Sequence, residues 1–383
     1  MIKVAIIGTG NICPSHIQAY LAFPQRCRIV ALSDIYPEKA QERAEQFNLD
    51  AHIYSDYHQL LKEEKPDLVS ICLPPYVHAE VAIAAMEAGA NVVCEKPMAS
   101  SLAECDRMME AEKRTGKTIC CVAQNRFRDD YMGLKEILDT GLIGRIVHAQ
   151  IDSYWWRGHS YYDLWWRGTW EKEGGGCTLN HAVHHIDLLL WMMGMPERVT
   201  AVLSNASHDN SEVEDISVAV LEYAGGALAQ ITSSVISHGQ RQNVIFQGED
   251  AMIGAPWQRY ASTSMPNGFP EENVELEAKL DALHEAHQPL PYTLHAAEID
   301  DVLSAMEQER APFISSEDGR RTVELITAIY KAGSTRSPVE LPLKADDPFY
   351  TAEGIIKNAR HFYEKDASVE NFTDAGMKNS FGR

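Results

Sequence analysis

The sequence predicts an α/β protein of two domains: a doubly wound parallel sheet, then an α+β domain with a mostly antiparallel sheet. Strands and helices alternate through the first third of the chain. Strands without intervening helices follow one another after residue 199. At 383 residues the chain exceeds the roughly 250–300 residues at which one hydrophobic core stops growing. The boundaries read as 1–124, 125–345 and a C-terminal helical tail or arm at 346–383.

The first element is the apolar run 2–7, the pattern of a parallel strand buried on both faces. Gly8-Thr9-Gly10-Asn11-Ile12-Cys13 follows, and a helix starts near Pro14. The two glycines allow a tight turn and a close approach of pyrophosphate to the helix N-terminus. Cys13 stands where a third glycine is usual and is small enough for helix–strand packing. The strand at 28–33 ends in Asp34, 21 residues beyond Cys13. An acid at that distance accepts from a ribose 2′-OH and repels a 2′-phosphate, so the segment reads as a dinucleotide site for NAD rather than NADP. Helices at 37–46 and 57–62, a strand at 68–73, a loop through Pro74-Pro75 to His78 and a helix at 79–88 continue the alternation. A strand at 91–94, a helix at 102–115 and a strand at 118–123 complete it. Ligands bind at the carboxyl ends of such strands, where Thr9, Pro74, Glu95, Lys96 and Asn125 lie. Lys96, between a buried strand and Pro97, reads either as a surface lysine paired with Glu95 or as a cation polarising a substrate oxygen.

In the second half, a helix over 131–140 ends at Gly141 and residues 145–154 alternate. The next loop carries Tyr154, Trp155, Trp156, Arg157, His159, Tyr161, Tyr162, Trp165, Trp166, Arg167 and Trp170, with five of the seven tryptophans. Aromatic faces interleaved with arginine suit sugar C–H faces and hydroxyls. The same residue types build oligomer interfaces. After three glycines, 179–191 reads as one helix. At about 100° per residue Leu179, Val183, Ile186 and Leu190 form an apolar stripe. Asn180, His184 and Asp187 form a polar stripe beside it, and His181 and His185 point to a third side. Strands follow at 199–203, 216–223, 227–234 and 243–247, with Gly225-Gly226 as a hairpin turn. The stretch 257–291 is polar and patternless. Helices at 292–306 and 318–332 are expected to return to the first domain.

The net charge of -21 argues against nucleic acid and anionic membrane surfaces as partners. No apolar run reaches the ~20 residues of a membrane span, and no leader is visible before the first strand. The eight cysteines include no CxxC pair, and several sit in apolar strands, the usage of a reduced, cytoplasmic protein. No metal site is expected, because the helical angles of His181, His184, His185 and Asp187 diverge.

These pieces resemble the Gfo/Idh/MocA family of NAD(P)-dependent sugar and inositol oxidoreductases along nearly the whole chain. The resemblance rests on Gly8-x-Gly10-Asn11-Ile12, Asp34, Leu73-Pro74-Pro75 with His78, and Glu95-Lys96-Pro97. It continues through Trp166-Arg167-Gly168-Thr169-Trp170, Gly174-Gly175-Gly176, Asn180-x3-His184-x2-Asp187 and Glu317-Asp318-Gly319-Arg320. It implies a Rossmann domain followed by a domain with a large, open, mostly antiparallel sheet through which homodimers or homotetramers form. The implied cofactor residues are Gly8, Gly10, Asn11, Ile12, Asp34, Leu73, Pro74, His78, Glu95, Lys96 and Gln124. The implied substrate residues are Lys96, Arg126, Tyr154, Tyr161, Arg167, Trp170, Asn180 and His184, and Tyr162 is a further substrate-contact candidate.

The resemblance makes Lys96 and His184 the catalytic pair, with Asn180 orienting the substrate; Asp187 reads either as a packing residue or as a hydrogen-bond partner that tunes the histidine. Inositol-oxidising relatives carry an acid four residues before the histidine, where this chain has Asn180. The expectation is therefore a carbohydrate substrate of pyranose type: a hexopyranoside, nucleotide sugar or sugar acid. A ring C–H passes hydride to NAD while His184 takes the hydroxyl proton. Two alternatives stand beside it: a redox-neutral NAD-dependent glycoside lyase or hydrolase, and a non-catalytic NAD-binding sugar sensor.

Overall fold

A computed structural model describes residues 1–365 and 368–370. They form two compact units. The first comprises Met1–Phe127, Pro291–Val323 and Tyr350–Ala352; the second comprises Arg128–Leu290, Glu324–Phe349 and the described residues from Glu353 onward.

The first unit is built on six strands: β1 (Ile2–Ile7), β2 (Cys27–Ser33), β3 (His52–Tyr54), β4 (Leu68–Ile71), β5 (Asn91–Cys94) and β6 (Ile119–Cys121). Their order is β3-β2-β1-β4-β5-β6, and every pairing is parallel. Burial is almost continuous along β1 and β4, as a sheet covered on both faces requires. Local chemistry sets the helix starts. Asp56 accepts from the His58 amide and Ser101 from the Glu104 amide, and Pro37 opens the helix Pro37–Gln46. The strand order reverses between β1 and β4, the place where such sheets hold ligands. β3 went unread in the sequence because three part-exposed residues carry no periodicity.

The second unit carries nine strands: β7 (Ile146–Tyr154), β8 (Arg198–Ser204), β9 (Ile216–Glu222), β10 (Leu228–Ser234), β11 (Gln242–Gly248), β12 (Ala251–Ala255), β13 (Gln258–Ser264), β14 (Pro270–Glu272) and β15 (Val339–Glu340). The order is β14-β13-β12-β11-β7-β10-β9-β8-β15, antiparallel except for the parallel pair β7–β10. The expected turn at Gly225-Gly226 joins β9 to β10, with both glycines at positive φ. Strands β8 and β9 alternate buried and exposed residues, so one face of the sheet packs inward and one faces outward.

Three expectations need correction. The single helix over 179–191 is two helices, Cys177–Asn180 and Val183–Met193. The amides of His181 and Ala182 both donate to the Cys177 carbonyl, so the hydrogen-bond register slips by one residue at the junction. A constant 100° step does not carry across that slip. The stretch 257–291 is not irregular: it holds β13, β14 and the helix Val274–Ala286. These are weakly buried edge elements, with only Glu277 and Leu280 buried in the helix, and so they show no apolar stripe. The tail expected from 346 contains the helix Ala352–Asn358. Beyond it Val369 bridges to Leu164; residues 366–367 and 371–383 of that tail lie outside the described residues.

All eight cysteines are buried and unpaired as disulfides. Among the described residues no helix is long and apolar enough to cross a membrane.

Candidate active site

In the first unit the glycine turn sits where β1 ends. Gly8 has φ 94°, and a Cβ there would lie 2.5 Å from the Cys72 carbonyl oxygen, so only glycine fits. A Cβ on Gly10 would meet nothing within 4 Å, which leaves that flank open to a ligand. The helix Cys13–Leu21 begins directly after the turn, with Cys13 fully buried as its packing role requires. Asn11 is exposed and Ile12 half-buried at its entrance. Asp34 anchors the turn: its Oδ2 accepts from the Thr9 amide and hydroxyl, both at 2.8 Å, and its Oδ1 from the Tyr36 amide at 3.0 Å. A carboxylate has about four acceptor positions, so room remains for a ribose hydroxyl.

Leu73 and Pro74 are half-buried beyond the end of β4. His78, expected to contact the cofactor, has no exposed surface. Its Nε2 lies 2.8 Å from the Leu73 carbonyl and its Nδ1 2.9 Å from the Pro97 carbonyl. It ties the loop after β4 to the turn after β5. Burial pushes its pKa down, against the pull of the two carbonyls.

Glu95 is similarly turned inward. It is 5% exposed, with Oε1 lying 3.0 Å from His16 Nε2 and 3.5 Å from His295 Nε2. Its Oε2 accepts from the Lys96 amide at 3.1 Å. His16 Nδ1 lies 3.2 Å from the Ser70 hydroxyl, which the Tyr20 hydroxyl approaches at 2.6 Å. Burial alone would raise the Glu95 carboxyl; the hydrogen bond from His16 and the nearby His295 ring hold it well below the usual carboxylate range. Burial in turn lowers the His16 pKa despite the carboxylate beside it. These three side chains bring ligand-type atoms within 4.8 Å of one another. The 3.0 Å contact is itself an ordinary hydrogen-bond length, so the group reads as a buried carboxylate held by histidines, next in the chain to half-buried Lys96.

Gln124, just past β6, is 9% exposed, and its Oε1 has no hydrogen-bond partner among the described residues. An orphaned buried acceptor beside the carboxyl ends of β5 and β6 suits a donor on a bound ligand. Arg126, expected at the substrate, is 3% exposed and donates to Asp318 Oδ1 at 3.1 Å. Asp318 also accepts from the Ser315 amide and hydroxyl. Arg126 therefore joins the Gln124–Phe127 turn to the helix Ser316–Thr335.

In the second unit, the segment before Asn180 is fixed by Glu214. This carboxyl has no exposed surface. Its Oε1 accepts from the Thr178 amide at 2.9 Å and the Tyr330 hydroxyl at 3.1 Å, and its Oε2 from the Gly176 amide at 3.1 Å. The Tyr330 hydroxyl accepts from the Leu179 amide at 3.1 Å. Burial pushes the Glu214 carboxyl up to about 7, with the Thr178 and Tyr330 contacts pulling the other way. The glycines before it have no room for side chains: a Cβ would lie 2.2 Å from the Tyr330 hydroxyl at Gly175 and 2.0 Å from the Glu214 carbonyl at Gly176. Asn180 Nδ2 donates back to the carbonyls of Gly175, at 3.1 Å, and Gly176, at 3.3 Å.

Burial separates the three histidines. His185 is 0% exposed and His181 7%, whereas His184 is only half-buried. His185 packs edge-on against Tyr131, and burial, then Arg128, lowers its pKa to about 4. Asp187 is 5% exposed, as a packing residue should be.

The aromatic loop divides into core and rim. Trp170, expected at the substrate, belongs to the core: it is 2% exposed, donates from Nε1 to the Arg360 carbonyl at 3.2 Å, and meets Tyr330 edge-on at 4.9 Å. Tyr162 is also buried. Arg167 lies over the Tyr161 and Trp166 rings, at 4.2 and 4.1 Å, and donates to Glu173 Oε1 at 2.9 Å. Its charge is thereby neutralised within the loop. Half-buried Tyr154 stands near Asp152, and burial raises its pKa. Glu214, Tyr330, His16 and His295 were missed in the sequence; each acts through partners distant along the chain, and no motif marks them.

Comparison with known proteins agrees with this architecture. Residues 2–124 match the GFO_IDH_MocA family model, an oxidoreductase family with an NAD-binding Rossmann fold, and residues 131–254 match the GFO/IDH/MocA C-terminal domain. Inositol 2-dehydrogenase of Salmonella typhimurium is 34% identical over 195 residues, 50% of this chain and 54% of that one. The match thus spans about half the length of that relative. D-glucoside 3-dehydrogenase of Escherichia coli is 24% identical over 363 residues, 89% of this chain and 97% of that one. Among solved structures, the WlbA dehydrogenase of Bordetella pertussis in complex with NADH and UDP-GlcNAcA superimposes with a TM-score of 0.78 at 26% identity, covering 90% of this chain and 99% of that one. With both domains matched in order, the chain belongs to the Gfo/Idh/MocA oxidoreductase family, and its first unit is that family's NAD-binding Rossmann domain.

Proposed function

We propose that this chain is an NAD-dependent dehydrogenase acting on a ring CH–OH of a pyranose-type sugar, glycoside or sugar acid, with Lys96 and His184 as the catalytic pair. The observation that carries the reading is the burial of the 180–187 segment. Of its three histidines only His184 keeps substantial surface, and it follows a short helix whose Asn180 is fixed by the glycine turn. An imidazole titrates near neutral pH and can take a hydroxyl proton as the C–H bond breaks. The Lys96 ammonium stabilises the negative charge developing on that oxygen. Asn180 orients the ring without accepting a proton.

The first unit fits NAD on three counts: the open flank at Gly10, the anchored carboxylate of Asp34, and the orphaned Gln124 Oε1. When bound, NAD supplies the hydride acceptor. A D-glucoside and UDP-GlcNAcA are the sugars named for two relatives. Asn180, in place of an acid, favours such sugars over inositol. The eight buried thiols suit a reducing compartment, the cytoplasm.

The test is nicotinamide reduction over a sugar panel by the wild type and by Lys96→Ala and His184→Ala. Each substitution is expected to lower kcat by roughly 10²–10⁴-fold, the usual worth of a positioned acid or base, while NAD still binds. Unchanged turnover in either variant overturns the assignment. Product formed without net NADH would place the chemistry in a redox-neutral sequence instead.

A further inference from the structure

Among the described residues Arg157 is a cation without an anion. Its Nη1 donates to the Trp156 carbonyl at 2.7 Å and to Gln240 Oε1 at 3.3 Å, both neutral acceptors. Among the described residues no carboxylate lies within ion-pair distance of it. The neighbouring charges are paired: Arg167 with Glu173 at 2.9 Å, and His159 with Asp209 at 2.6 Å. The guanidinium rests on aromatic faces, 5.5 Å from the ring centres of both Trp155 and Tyr161. Those same two rings flank His181, at 5.9 and 5.7 Å. His181 directly follows Asn180, so the unpaired charge stands one aromatic ring away from the segment that carries Asn180 and His184.

A guanidinium offers a planar fork of donors matched to two oxygens of a carboxylate or phosphate. Held on aromatic faces it loses little further freedom on binding. The chain as a whole carries a charge of -21, which repels anions, so a guanidinium with no carboxylate beside it is a local exception where an anion is favoured.

We infer that Arg157, seated on Trp155 and Tyr161, is a subsite for an anionic group of the sugar, a carboxylate or a phosphate. This rests on the dehydrogenase reading only for its turnover readout. Arg167, the other arginine of the loop, does not offer this, since Glu173 neutralises it at 2.9 Å.

The test compares D-glucuronate with D-glucose for the carboxylate, and D-glucose 6-phosphate with D-glucose for the phosphate. It uses the wild type, Arg157→Gln and Arg157→Lys. The wild type should favour at least one anionic sugar in kcat/KM. Arg157→Gln should lower that anionic-to-neutral ratio by roughly 10- to 100-fold, the range of a charge-assisted hydrogen bond. Arg157→Lys should fall between, because an ammonium keeps the charge and loses the fork. The arm that responds identifies the source of the anion. A ratio unmoved in Arg157→Gln, or a wild type that favours glucose over both anions, overturns the subsite. If no sugar reduces NAD, the dehydrogenase reading fails by itself. Calorimetric titration of glucuronate and glucose 6-phosphate into wild type and Arg157→Gln then decides the subsite alone: equal affinities in the two proteins, or no binding to either, overturn it.

Discussion

Glu214 is a carboxyl group with no exposed surface and three donors aimed at it, all within the second unit. Burial raises it to about 7 from a reference of 4.5, so the folded protein binds the proton more tightly than the unfolded chain does. Its contribution to stability is complete below about 4.5, shrinks as pH rises through that window, and is lost above about 7. The titratable groups facing it do not share the change, because burial keeps Tyr330 and Cys177 protonated. Glu214→Gln cannot ionise. The stability of the wild type relative to Glu214→Gln should therefore fall by roughly 1.4 kcal/mol per pH unit across the window, read from denaturation midpoints between about pH 5 and pH 8. Parallel profiles for the two proteins would show that Glu214 is already ionised when folded. Nothing in the sequence marks this residue. Its partners lie 36, 38 and 116 positions away, so only the fold brings them together. The histidines could not be sorted by burial in the sequence: His181 and His185 are buried and His184 is half-buried, a difference the fold creates across the break between the two helices. Arg167 and Trp170 show the same limit. Composition identifies an aromatic, arginine-bearing loop but not which of its members are already paired or buried.

At the scale of elements, the glycine turn and the short helix Cys177–Asn180 work as one piece. The turn packs against Tyr330 and Glu214 so closely that no Cβ fits at Gly175 or Gly176, and Asn180 bonds back onto the same two carbonyls. Gly176→Ala would place a methyl 2.0 Å from the Glu214 carbonyl, and a backbone atom cannot swing aside as a side chain would. The expected cost is about 1–3 kcal/mol, seen as a lowered urea midpoint, together with a drop in kcat as Asn180 is displaced. A midpoint and rate equal to wild type would show that the turn has slack the geometry does not reveal. The register slip at His181–Ala182 belongs to the same piece. A periodic reading of 179–191 finds the right faces on each side of the slip but merges two helices into one. Elements with strong burial patterns, such as β1, β8 and β9, were readable because water had to be excluded from one or both faces. β13, β14 and the helix Val274–Ala286 carry little burial and hence little pattern.

At the scale of the whole molecule, the two sheet types followed from the order of elements alone, because alternation forces parallel pairing and its absence forces hairpins. What remains is the outward face of the nine-stranded sheet. Val202 is 68% exposed there, and Val218, Val220 and Leu228 are 44%, 41% and 45% exposed. The strand register sets Val202 opposite Val218 and Thr200 opposite Val220, so the three valines adjoin across β8 and β9, while Leu228 on β10 stands opposite Glu222. Exposed apolar side chains that adjoin across neighbouring strands are the kind of patch through which protein chains associate. We propose that copies of the chain pair through this face as a homodimer or homotetramer. Placing charges there with Val218→Glu and Val220→Glu would bury like charges against one another in a two-fold interface, where each subunit presents the same patch. Light scattering on the eluting protein should then report an oligomer for the wild type and a monomer for the double variant, with the helical and sheet content unchanged by circular dichroism. A monomeric wild type, or an oligomer that survives both charges, would remove this face from the assembly.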